Sequence, residues 1–106
     1  MPDPVNLSAI RSLLSESGDL YAEFLRVPDL SVGLYRLPAG GIDPQGPHNE
    51  DEVYYVISGK SQVQVGKDVF PAETGDVIYV AKKVEHRFFD IEVDLELLVF
   101  FAPAET

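Results

Sequence analysis

Between Leu20 and Phe101 the chain is a series of short runs rich in β-branched and aromatic residues, each stopped by turn formers, most often Pro or Gly. Such runs suit a pleated, half-buried surface, and they are too often interrupted for helices. Leu20–Val27 and Leu30–Leu37 flank the turn pair Pro28-Asp29. Pro38-Ala39-Gly40-Gly41 and Pro44-Gln45-Gly46-Pro47 bracket an irregular loop. Glu52–Ile57 follows, then Ser61–Val65, in which Val63 and Val65 alternate with Gln62 and Gln64. Gly66-Lys67 predicts a tight hairpin that returns through Asp68–Phe70. Asp76–Val80 comes after the turn Glu73-Thr74-Gly75, and Val93–Phe101 closes the series. Eight or more short strands at this spacing predict an all-β, antiparallel barrel or jelly roll.

Only the N-terminal segment carries a helical signal. Leu7, Ile10, Leu13 and Leu14 recur at helical spacing, Asn6 or Ser8 can cap the start, and Gly18 can end it. Residues 1–18 are therefore expected to form a helical segment packed on a barrel of residues 19–106. The last run places Val93, Leu95, Leu97, Val99 and Phe101 on one face, but Leu98 and Phe100 make its other face apolar too. That second face needs cover, from the helix or from a second subunit, and a homodimer is the expectation.

Composition excludes several classes. A chain of 106 residues supports one domain with one core. It has no cysteine, hence no disulfide, thiolate ligand or cysteine nucleophile. Eight basic against eighteen acidic residues give a net charge of −10, which opposes contact with phosphate backbones, so no nucleic-acid partner is expected. Neither a membrane-length apolar run nor a secretory signal is visible, which makes cytoplasmic residence, with no membrane partner, the expectation.

The chemistry-bearing residues are few. The only histidines are His48, in Gly46-Pro47-His48-Asn49-Glu50-Asp51-Glu52, and His86, after Gly75-Asp76-Val77-Ile78-Tyr79-Val80. An even separation puts His48 and Glu52 on one face of an extended chain, with Tyr54 and Val56 continuing it. His86, Phe88 and Asp90 share a face in the same way. Antiparallel pairing can bring the two faces together inside a barrel wide enough for a small ligand. Imidazole and carboxylate together suit one divalent ion, Fe, Zn, Mn or Ni. Glu50 and Asp51 read as solvated loop charges, and Lys82-Lys83 as an exposed turn. Tyr54 and Phe88 are candidates for the pocket lining. Arg36 is a candidate contact for an anionic substrate, although its strand is apolar on both faces and its direction is open.

These two stretches resemble the two motifs of the cupin family. Gly41, His48, Glu52 and Gly59 stand for the first motif's opening glycine, second histidine, glutamate and closing glycine. Gly75 and His86 stand for the glycine and histidine of the second. The resemblance spans Gly41 to Asp90, and the gap between the motifs is that of a compact single-domain cupin. It implies a metal held by His48, Glu52 and His86. The chain departs from the pattern where Gly46 occupies the first histidine position and Ala81, Lys83 and Asp90 replace the second motif's Pro, Gly and Asn. Gln45 lies one residue from the vacant position, and its amide oxygen is a candidate fourth ligand. The family implies either metal-dependent chemistry on a small molecule or ligand binding without catalysis. With iron the chemistry would be that of a dioxygenase. With Zn, Mn or Ni it would be that of an isomerase, lyase or hydrolase.

Overall fold

Asn6 starts the first element by accepting a hydrogen bond from the Ala9 N–H at 2.8 Å, and Gly18, at φ +74°, ends it by donating to the Leu14 carbonyl. Between them runs α1 (Leu7–Ser17), stopped where only glycine takes a left-handed turn without strain. The computed structural model describes residues 3–106, so Met1 and Pro2 of the expected 1–18 segment lie outside the described residues. Ile10 and Leu14 of α1 are buried against Leu34, with Leu7, Ala22, Phe24, Ile57 and Leu98 packed around them. The helix thus covers Leu98 within the chain. The second face of the last strand needs no partner subunit at that point.

Six strands follow: β1 (Tyr21–Val27), β2 (Leu30–Leu37), β3 (Asp51–Val65), β4 (Asp68–Glu73), β5 (Val77–Val80) and β6 (His86–Ala102). All pair antiparallel, in the order β1-β2-β6-β3-β4, with β5 paired to the first half of β3. The expectation of eight or more short strands is corrected here. Glu52–Ile57 and Ser61–Val65 are two halves of β3, and the stretch from His86 runs unbroken into Val93–Phe101 as β6.

What looked like breaks are bends. The β3–β6 register shifts between Val56 and Gln62, where Gly59 stands at φ +116° and Asp90 of the facing strand at φ +48°. Inserted residues of this kind kink a strand without ending it, and they move the inward set by one position. In β3 the buried residues are Glu52, Tyr54 and Val56 before the bend, but Ser61 and Val63 after it. In β6 the inward ones are His86 and Phe88 before Asp90, then Ile91, Leu95, Leu97, Val99 and Phe101, while Glu96 is buried on the other face against Arg11 and Arg36. Asp90 therefore leaves the face of His86 and Phe88 and is exposed, and Val93 stands out in solvent at the same corner. This double switch lets two long strands line both halves of one barrel. Its core holds Tyr35, Leu37, Tyr54, Val56, Val63, Phe88, Leu95, Leu97, Val99 and Phe101. Among the described residues, no helix is long and apolar enough to cross a membrane.

Candidate metal centre

Three chain segments deliver the site. His48 lies in the loop before β3, and its carbonyl accepts a 2.6 Å hydrogen bond from Lys83 N–H. Lys83 itself takes φ +66°, the left-handed conformation for which the family's motif uses glycine, so the turn survives the substitution. Glu52 opens the inward row of β3, opposite Val80 of β5. The turn after Val80 then carries His86 to the start of β6, on the barrel interior. Each of His48, Glu52 and His86 offers one ligand atom, and these atoms lie within 4.8 Å of one another. The expected convergence is thus observed.

Both imidazoles have an oxygen close behind them. His86 Nδ1 is 3.0 Å from the Val84 carbonyl oxygen. A carbonyl only accepts, so Nδ1 carries a proton and Nε2 points inward. His48 Nδ1 lies 3.1 Å from Glu105 Oε2, while its Nε2 is buried without a hydrogen-bond partner. Among the described residues neither Glu52 oxygen has a hydrogen-bond partner, although Oε1 sits 3.2 Å from His86 Nε2. That contact has ion-pair distance without hydrogen-bond orientation. The Glu52 and His86 side chains are each only 1% exposed. Burial disfavours the charged imidazolium of His86, but the adjacent Glu52 carboxylate and the Val84 carbonyl outweigh it and raise the pKa above the ordinary value. Leaving a buried polar atom unpaired costs about 1–3 kcal/mol, more for a charged one. One cation at the centre would satisfy all three orphaned atoms, so the residues present fit a divalent metal.

The remaining sequence candidates fall in different places. Tyr54 is fully buried beside the trio, its hydroxyl 3.0 Å from His86 Nε2. That hydroxyl also donates to Gln45 Oε1 at 2.8 Å, so the amide oxygen expected to face a metal is engaged by a phenol. Burial, then the Glu52 charge, push the Tyr54 pKa well above its usual value. Phe88 packs edge-on against the Tyr54 ring, 5.0 Å between centroids, on the barrel interior. Arg36 points the other way. Its strand neighbours Tyr35 and Leu37 face the barrel core, whereas Arg36 pairs with Glu96 and donates to Ser15 Oγ of α1. It cannot meet a substrate inside the barrel.

Two acids were misjudged or unread. Glu50 is not a solvated loop charge but is buried, accepting hydrogen bonds from Thr106 N–H and Oγ1. Asp43, in the irregular loop, is buried and accepts from Tyr35 Oη at 2.6 Å and from the backbones of Gln45 and Phe88. It fixes the loop that presents Gln45. Nothing in Ile42-Asp43-Pro44 signals such burial. Two cavities flank the loop. One of about 270 Å³ is lined by Gln45, Gly46, Pro47, Gln64, Glu85, His86 and Arg87. The other, of about 470 Å³, lies against Tyr21, Tyr35, Gln45, His48 and Glu105. A side chain at Gly46 would project into open space.

A small antiparallel barrel with two imidazoles and a carboxylate gathered inside is a jelly roll whose interior could hold a metal. The model of the Cupin domain family matches residues 33–101, and the chain belongs to that family. It is 46% identical over 86 residues to Uncharacterized protein SCO3923 of Streptomyces coelicolor, aligning 81% of this chain with 82% of that protein. Among solved structures it is similar to an RmlC-like cupin from Shewanella frigidimarina, with TM-score 0.71 and 21% identity over 79% of this chain and 75% of that one. KdgF from Halomonas sp. is similar at TM-score 0.70 and 19% identity, covering 78% and 76%. At those identities the structural matches speak for the fold.

Proposed function

We propose that His48, Glu52 and His86 hold one divalent metal ion inside the barrel and that a small molecule is bound beside it. The observation that carries this reading is the set of buried atoms without partners, His48 Nε2 and both Glu52 oxygens, on residues whose ligand atoms gather within 4.8 Å. Two imidazoles and one carboxylate leave coordination positions open for an exogenous ligand. Bound there, Zn, Mn or Ni would supply a Lewis acid for isomerase or lyase chemistry, and Fe would supply the redox centre of a dioxygenase. The chain's own contribution is geometric. Val84 and Glu105 place oxygens close behind the imidazoles, Tyr54 sets a hydroxyl at hydrogen-bond distance from His86, and Phe88 and Phe101 wall the site off from water.

A second reading is a cupin that binds its small ligand without metal. The observation favouring it is the 3.2 Å approach of Glu52 to His86, in which a charged imidazole and a carboxylate neutralise each other. Elemental analysis of untagged protein purified without chelator separates the two. Stoichiometric iron, zinc, manganese or nickel supports the first, and metal-free protein that takes up no added ion overturns it. Homodimerisation belongs to the same proposal. Tyr55, Val77 and Tyr79 form an exposed apolar surface where β3 and β5 pair, and a monomer in sedimentation equilibrium would remove that element.

A further inference from the structure

We infer that Glu105 is the positioning residue of this metal centre, a carboxylate from beyond the last strand that sets the tautomer and direction of His48. The inference rests on the metal reading above. His48 precedes β3 and has no strand partners of its own to orient its ring. Its Nδ1 lies 3.1 Å from Glu105 Oε2, at ion-pair distance without hydrogen-bond orientation, and its other nitrogen, Nε2, is the buried orphan beside Glu52 and His86. A carboxylate beside Nδ1 favours the proton on that nitrogen and so leaves the lone pair on Nε2. Phe101 packs edge-on against the same ring at 4.9 Å, so the imidazole is clamped by an aromatic face and an anion.

The segment carrying Glu105 is itself fastened. Ala104 N–H donates to the Pro28 carbonyl, Glu105 N–H to Ser31 Oγ, Arg26 to the Glu105 carbonyl, and Thr106 to Glu50. These bonds reach β1, β2, the turn between them and the β3 entry, and they leave the Glu105 carboxylate facing His48. Within this segment Ala104 is buried, whereas Glu105 adds no apolar surface to the core. The fastening does hold one carboxylate behind one imidazole. At His86 the Val84 carbonyl oxygen lies 3.0 Å from Nδ1, so each imidazole has an acceptor on the side away from the centre.

The test compares wild type with Glu105→Ala and Glu105→Gln, using Zn(II) in competition with a chromophoric chelator. Wild type binds one equivalent. Glu105→Ala binds 10- to 100-fold more weakly, the usual effect of losing a partner behind a ligand. Glu105→Gln recovers most of that loss, because its amide oxygen still places an acceptor beside Nδ1. Nitrogen NMR of the metal-free proteins at about pH 8, well above the ordinary imidazole pKa of roughly 6.5, reads the tautomer directly. His48 is the Nδ1–H form in wild type and Glu105→Gln, and shifts toward Nε2–H in Glu105→Ala. Unchanged affinity and tautomer in Glu105→Ala overturn the inference while leaving the metal site standing. Failure of wild type itself to bind zinc overturns the metal reading instead.

Discussion

Replacing Glu52 by glutamine tests the centre most directly, because the substitution keeps the shape of a side chain that is almost wholly enclosed and removes its charge. A ligand that binds only the folded state stabilises it by about 2.7 kcal/mol when present at roughly 100 times its Kd. In a domain of this size each kcal/mol moves the midpoint by about 4–8 °C. Zinc at that excess should therefore raise the wild-type Tm by about 10–20 °C. Glu52 supplies the only anionic ligand of the three, and its loss should weaken binding by about two orders of magnitude or more. At the same zinc concentration the stabilisation then falls to roughly 0.4 kcal/mol, a shift of about 2–3 °C. Differential scanning calorimetry with and without zinc reads both numbers. Circular dichroism of the metal-free variant checks that the barrel persists. A Glu52→Gln protein that shows the full wild-type shift would refute the reasoning, since the ion would then be bound elsewhere.

Other outcomes follow from the same geometry. Gln45→Ala should change zinc affinity less than about tenfold, since the Gln45 oxygen accepts from Tyr54; a loss as large as that of His48→Ala would make Gln45 a ligand. Glu96 receives hydrogen bonds from Arg11 and Arg36, and the Arg11 contact, followed by its charge, holds the Glu96 pKa below the ordinary 4.5. A lowered folded-state pKa stabilises the fold above 4.5 and loses that contribution as pH falls through the lower value. Urea midpoints of Glu96→Gln should accordingly depend less on pH below 4.5 than those of wild type, and equal slopes would contradict the pairing. Gly59→Ala should destabilise by about 2–4 kcal/mol in chemical denaturation, because its Cβ would meet the Asp94 carbonyl oxygen at 2.5 Å in a positive-φ backbone. Gly46→Ala, facing open space, is the matched control and should stay within about 0.5 kcal/mol.

Local signals were legible wherever a few neighbouring residues decide the outcome. Asn6 and Gly18 bound the helix because an N-cap and a left-handed C-cap are matters of one turn. Gly66-Lys67 makes the β3–β4 hairpin because the turn dictates its own register. The even spacing of Glu52 and Tyr54 and the motif offsets of His48 and His86 were enough to name the residues that meet. The bend at Asn49-Glu50, however, puts His48 outside the strand whose alternation was to align it. Reading strands as ending at Ser58-Gly59 and after Asp90 failed for a physical reason. A bulge and a turn use the same residue types, and only pairing with a partner strand distinguishes them.

Alternation along one strand determined which residues could share a face, and the composition of those faces determined that the fold would be a barrel with a short helix on it. Tertiary structure alone decided which side of the sheet is interior. That choice sent Arg36 to Glu96 and the helix, and Tyr54 to the histidines. It also brought Glu105, more than fifty residues from His48 in the chain, to 3.1 Å of its ring. Contacts of that range depend on how two bent strands close on each other, and closure is set by the whole sheet rather than by any segment of it.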